Sequence, residues 1–220
     1  MNPDKIGYLH SSELFRDLNE NGMTELDRIT SMTTCERGRI FYAPAETGEV
    51  LFLLKQGRVQ IYRLSTEGKK LVIAILEPGT LFGEMALIGQ GMYNTFAEAV
   101  EPCTLCAMSR RDVEMLLAKF PQVGLRLLEI MGTRLRDAEA QLDGFAFKSI
   151  PSRLAALLLK LQKGNLVEGL THQDLAEMIG TYRETATQTL NDFKTQGLIA
   201  IQRKRIEIRD APRLRELAKQ

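Results

Sequence analysis

The sequence predicts an α+β chain of two domains: an antiparallel β sandwich or barrel, a long helix behind it, and a compact helical domain closed by a β-hairpin. Three observations carry this. Between about Thr34 and Met108, short runs of β-branched and aromatic residues alternate with turn residues at roughly ten-residue intervals. Beyond Pro121, apolar residues recur in alternating steps of four and three. Residues 148–220 hold two short amphipathic segments joined through a glycine, then two β-rich runs around a basic dipeptide.

Size and composition permit that plan. A chain of 220 residues has room for two modest cores, and 44% hydrophobic with 26% charged residues argues against disorder. The apolar runs at Leu154–Leu159 and Val50–Leu54 are too short to span a bilayer, and Met1-Asn2-Pro3-Asp4-Lys5 does not open like a signal peptide. Three cysteines, an odd number, offer no disulfide framework and suit a reducing compartment. A cytoplasmic protein without a membrane partner is expected. Charge is uneven: residues 148–220 carry 13 Lys+Arg against 8 Asp+Glu, and the remainder 16 against 20. A polyanion would meet the C-terminal third, although such a balance is also common on domains that bind none.

Taken in order, Val50–Leu54, Arg58–Arg63 and Lys70–Leu76 read as strands separated by Gln56-Gly57, Thr66–Lys69 and Glu77-Pro78-Gly79. No GxxxxGK[ST] or GxGxxG occurs, which removes the simplest support for nucleotide-dependent enzymes. Arg111–Phe120 reads as a short helix, and Pro121 suits the first turn of a long one. Along it Gly124, Leu128, Met131, Leu135, Ala138, Leu142 and Phe145 form a seam of heptad period, as in a helix paired with its own copy. The other reading is a helix lying on its own barrel, with Leu125, Leu127 and Ile130 widening the apolar face. Both can hold along one helix.

Thr171 with Asp174 starts a helix in the manner of a capping box, Leu175, Ala176 and Ile179 give its buried side, and Gly180 ends it. Thr181 with Glu184 then starts a second helix that closes at Gly197. Two short helices joined through glycine, with a small Ala176 where they cross, make a helix-turn-helix. Leu198–Gln202 and Arg205–Arg209 bracket Arg203-Lys204 as a wing. In such a unit the second helix enters the major groove of double-stranded DNA. Arg183 can fork onto guanine O6 and N7, Glu184 can accept from cytosine N4, and Gln188 suits adenine. His172, Tyr182, Thr185, Arg203 and Lys204 are the candidate phosphate contacts. Alternatively, Arg183 is a solvated arginine and Glu184 completes a capping box with Thr181.

With these motifs in order, the chain resembles the CRP/FNR family of bacterial regulators over nearly its full length. The resemblance rests on the Gly57 and Pro78-Gly79 turns, Phe82-Gly83-Glu84-Met85-Ala86-Leu87, the long helix and Arg183-Glu184-Thr185. It implies an antiparallel β jelly-roll effector domain over residues 1–120, a dimerisation helix over 121–146 and a winged helix-turn-helix over 147–220. It also implies a homodimer at palindromic promoter sites and contact with RNA polymerase.

The resemblance breaks at the effector. In cyclic-nucleotide-binding members the glutamate at Glu84 holds the ribose, and an arginine followed by a hydroxyl residue clamps the phosphate. Here that pair is Asn94-Thr95, and asparagine supplies neither charge nor fork. The adenine-holding pair on the long helix falls on Ala138-Glu139, where a carboxylate disfavours an anionic ligand. The expected pocket is therefore Gly83, Glu84, Met85, Ala86, Asn94, Thr95, Arg134, Ala138 and Glu139, with Arg134 either a compensating cation or a surface residue. Binding of cAMP in the usual mode is not expected, and no cofactor is assigned. What remains is an unknown small molecule, or regulation by abundance. A cAMP-responsive regulator with an atypical pocket, or a module that controls a partner protein, are the alternatives.

Three cysteines cannot hold a four-cysteine iron–sulfur cluster, and His10 and His172 are poorly placed as haem ligands. Cys103 and Cys106 lie three apart in a strand, so their sulfurs should diverge as buried, inert thiols. No metal site is expected. Enzymatic function lacks material: no nucleophile–base pair stands out, and there are two distant histidines.

Overall fold

The turn-punctuated runs pair as two antiparallel sheets. The structure, a computed structural model, describes residues 3–44, 50–83 and 95–219. It divides into two compact units, Met1–Arg63 with Ile73–Leu135, and Leu64–Val72 with Arg136–Gln220. β1 (Ser31–Cys35), β8 (Cys103–Ser109), β3 (Val50–Gln56) and β6 (Leu81–Phe82) form one sheet in that order. β2 (Ile40–Tyr42), β7 (Phe96–Ala99), β4 (Val59–Leu64) and β5 (Lys70–Leu76) form the other.

Strand alternation builds two cores from the first sheet. Phe52, Leu54, Phe82, Cys103 and Leu105 turn toward the second sheet and meet Val59, Ala97 and Ala99. Leu51, Leu53, Cys106 and Met108 turn the other way. They meet Leu9 of α1 (Pro3–Ser11), Leu26 of α2 (Glu20–Ile29), Leu116 of α3 (Arg110–Lys119) and Val123 at the start of α4 (Pro121–Phe147). β8 is thus buried on both faces, and its two cysteines diverge into different cores as the alternation requires. Gly57 sits at φ +88°, where an added Cβ would lie 2.4 Å from the Pro102 carbonyl oxygen and 2.7 Å from Cys103 Sγ. The turn after β3 therefore requires glycine for both conformation and space.

The second unit holds α5 (Ile150–Leu161), α6 (His172–Ile179), α7 (Arg183–Thr195) and α8 (Ala211–Leu217). A three-stranded sheet in the order β10 (Ile199–Gln202), β11 (Arg205–Ile208), β9 (Leu166–Glu168) completes it. Leu154, Leu158, Leu175, Leu190, Phe193, Leu198 and Leu214 share one core. Thr171 and Asp174 form the reciprocal capping box, and Gly180 closes α6 at φ 67°, ψ 38°.

Two readings of the sequence need correction. Thr181 does not start α7: the N-cap is Tyr182, which makes no side-chain capping bond, while Thr181 is buried in the turn. Leu125 does not widen the barrel-facing side of α4 but is 65% exposed. β9, which the sequence did not announce, pairs with β11.

Candidate DNA interface and effector pocket

α7 can present candidate functional side chains because its inner face is committed to the core. Ala186, Thr189, Leu190 and Phe193 are buried, which leaves Arg183, Glu184 and Gln188 exposed together along the N-terminal half of the helix. Glu184 lies in the first turn, where a carboxylate is favoured by the helix dipole. With the N-cap at Tyr182, no capping bond competes for Glu184.

The angle at which α6 and α7 meet is held by small and polar contacts. Ala176 is fully buried, its carbonyl accepts from the Thr181 amide at 2.9 Å, and Nδ1 of His172 lies 3.0 Å from Oγ1 of Thr187. His172 is thus tied inside the motif. Tyr182 is 61% exposed, and Thr185 is half-buried.

The wing is a hairpin in which Gln202 pairs with Arg205 across Arg203 and Lys204. Both tip cations are exposed. Lys204 has φ 54° and is the only non-glycine residue in the left-handed region among the described residues.

On α4 the apolar seam separates into two sides. Leu128, Leu135 and Leu142 are 68, 62 and 67% exposed, and Phe145 is 42% exposed. Met131, with Leu127 and Ile130, packs on the core of the first unit. Ala138 is exposed. The helix thus fastens one stripe to its own domain and leaves a second stripe of leucines in water.

A cavity of about 250 Å³ opens beside Gly79, Thr80 and Leu81, against Thr133 and Arg134 of α4 and Glu13. Arg134 donates to the Leu81 carbonyl. Among the described residues of the expected effector set, Arg134 alone lines this cavity. Ala138 and Glu139 are exposed on α4. Gly83 is pinned at φ +89° with Val50 O 2.4 Å from any added Cβ, and Thr95 is half-buried. Glu84, Met85, Ala86 and Asn94 lie outside the described residues.

Residues 32–120 match the cyclic nucleotide-binding domain family, and residues 152–217 match the Crp-like helix-turn-helix domain. The chain is 33% identical over 184 residues to the cyclic AMP receptor protein of Thermus thermophilus, covering 83% of this chain and 85% of that one. It belongs to the CRP/FNR family of transcription regulators.

This CRP/FNR regulator is also 27% identical to a CRP-like cAMP-activated global transcriptional regulator of Mycobacterium tuberculosis, across 94% of this chain and 96% of the relative. A solved CRP/FNR regulator from Eubacterium rectale shares its fold with a TM-score of 0.79 at 24% identity, covering 94% of this chain and 98% of that one. The CRP/FNR chain is accordingly a DNA-binding transcription regulator, in a family whose members here are regulators rather than enzymes. No described helix is long and apolar enough to cross a membrane.

Two features of this CRP/FNR regulator escaped sequence reasoning. Thr187 carries no motif signal, yet it anchors His172. Cys35 lies far from Cys103 in sequence but stands directly across from it on the adjacent strand. Burial foremost, then the neighbouring Cys35 thiol, pushes the Cys103 thiol up to about 11. Burial also raises the Cys106 thiol and pushes the Tyr8 phenol up to about 12.

Proposed function

We propose that this regulator binds two-fold symmetric duplex sites as a homodimer. In this reading α7 enters the major groove, Arg183, Glu184 and Gln188 meet base edges, and Tyr182, Thr185, Arg203 and Lys204, with His172 through the ring nitrogen that Thr187 leaves open, contact the backbone. The observation that carries it is the shared exposure of Arg183, Glu184 and Gln188 on a helix whose other face is buried. The exposed leucines of α4 supply the dimer seam, and half-sites lie about one helical turn apart. Residues 1–120, 121–146 and 147–220 are assigned to effector domain, dimer helix and DNA reader, in a cytoplasmic protein that meets RNA polymerase at its promoters. Selection from random duplexes tests the reading: an enriched palindrome with a G·C pair fixed in each half-site supports it, and no enrichment overturns it.

The effector is not cAMP held in the usual way, because Asn94 and Glu139 stand where an arginine and a hydroxyl would serve the nucleotide. A second reading, a cAMP-responsive regulator with an atypical pocket, is favoured by the names of the two relatives above. There Arg134, already lining a cavity, would supply the cation. Calorimetry with cAMP separates the two readings.

A further inference from the structure

We propose that Cys35 and Cys103, directly opposite each other on adjacent antiparallel strands, form a reversible dithiol–disulfide couple that a low-molecular-weight disulfide oxidises in the folded protein. β1 and β8 pair in continuous register from Ser31 opposite Ala107 to Cys35 opposite Cys103. Directly opposed residues hold their Cβ atoms about 4.5–5.5 Å apart. A disulfide takes Cα separations of about 4.4–6.8 Å and Cβ separations of about 3.5–4.5 Å. Closure therefore asks for a shift of about an ångström at a strand end, without any change of register. Both residues belong to the core between the sheets, and all three cysteines are free thiols in this structure. Cys106 packs in the opposite core and has no cysteine across from it, since its partner on β1 is Met32.

Exposure divides the labour. β1 ends its sheet, and Cys35 on it is half-buried, so an incoming disulfide can reach its sulfur. Cys103 is 3% exposed, too little for an incoming small disulfide to reach its sulfur directly. The Cys35 thiolate attacks one sulfur of the small disulfide, whose S–S bond breaks and releases one small thiolate. Cys103 then loses its proton to water, and its sulfur attacks Cys35 Sγ and expels the second small thiolate. Two protein thiols are oxidised by two electrons, and one small disulfide is reduced to two thiols. Burial of Cys103, whose thiol is held protonated, makes the second step the slower one.

The test uses the full chain, reduced and desalted, then exposed to oxidised glutathione and quenched with acid. Alkylation after denaturation should show free thiols falling from three to one per chain. Peptide mass spectrometry should find Cys35 linked to Cys103, and dithiothreitol should restore all three thiols. Cys106→Ser should still lose both remaining thiols, whereas Cys35→Ser should keep Cys103 and Cys106 alkylatable. In strong denaturant, where the strands no longer hold the pair together, closure should slow by about tenfold or more. A link that includes Cys106, a link between chains, a persistent glutathione adduct on Cys35, three surviving thiols, or an equal rate in denaturant would each overturn the proposal.

Discussion

Changing Leu135 to Glu should convert the dimer to monomer at concentrations where the wild type stays paired. Leu135 is 62% exposed in the single chain. Full burial of a leucine side chain stabilises by about 1.5–3 kcal/mol, so its exposed share represents about 1–2 kcal/mol per protomer. A symmetric seam counts this twice, giving about 2–4 kcal/mol lost on truncation alone. Facing carboxylates add repulsion. The dimer constant should weaken by about 1.5–3 decades or more. Sedimentation velocity over a concentration series reads this directly, with the wild type near twice the 24.8 kDa chain mass. A wild type that sediments as a single chain at tens of micromolar, or a variant with an unchanged constant, would refute the seam.

Arg183→Ala should cost about 1–3 kcal/mol per half-site and relax the choice of base pair there, as read by binding to matched and mismatched duplexes. Lys204→Ala should weaken all duplexes alike and lower the salt slope by about one unit. Calorimetry should find cAMP binding one to two decades weaker than an arginine-clamped site allows, since a lost charge-assisted bond costs about 1.5–3 kcal/mol; micromolar affinity would contradict this. Thr171→Ala removes the α6 cap and should lower stability by about 1 kcal/mol in urea titrations. Under reductant, stability should also fall with rising pH. Cys103, raised from 9.0 to about 11, and Tyr8, raised from 10.0 to about 12, stay protonated when folded but release protons when unfolded. Their contribution is complete below about pH 9 and is lost as pH climbs through the folded values, so denaturation midpoints at about pH 8 should exceed those at about pH 10.5.

The sequence made the long elements readable because their signals are local. Val50–Leu54 and Lys70–Leu76 are short apolar runs with β-branched or aromatic residues between turn signals, and α6 announces itself through Thr171, Asp174 and Gly180. β6, with two residues, and β9, with three, lack the length for any period to register; they exist through pairing with β3 and β11. The misplaced start of α7 has a similar cause. Thr181 and Glu184 have capping-box spacing, but the burial of Thr181 moves the cap to Tyr182. That Arg183, Glu184 and Gln188 share one exposed side was legible because helical spacing alone puts them there. An effector pocket is harder to read, since it is assembled from segments distant in the chain. The cysteines show the same limit: the sequence drew attention to the neighbours Cys103 and Cys106, and only sheet register reveals Cys35.

Lys204 holds a left-handed backbone at φ 54° that costs a β-carbon residue about 1–2 kcal/mol relative to glycine. For folding alone, glycine is the better occupant of the wing tip. Lys204→Gly should therefore raise the melting temperature while weakening the grip on DNA, whereas Lys204→Ala loses the charge and keeps the strain. The two substitutions remove the same cation and should match in affinity while differing in stability. If Lys204 grips the DNA backbone as proposed, the demands of the fold and of a polyanionic partner pull in opposite directions at the wing, and selection for heat tolerance alone would erode regulation.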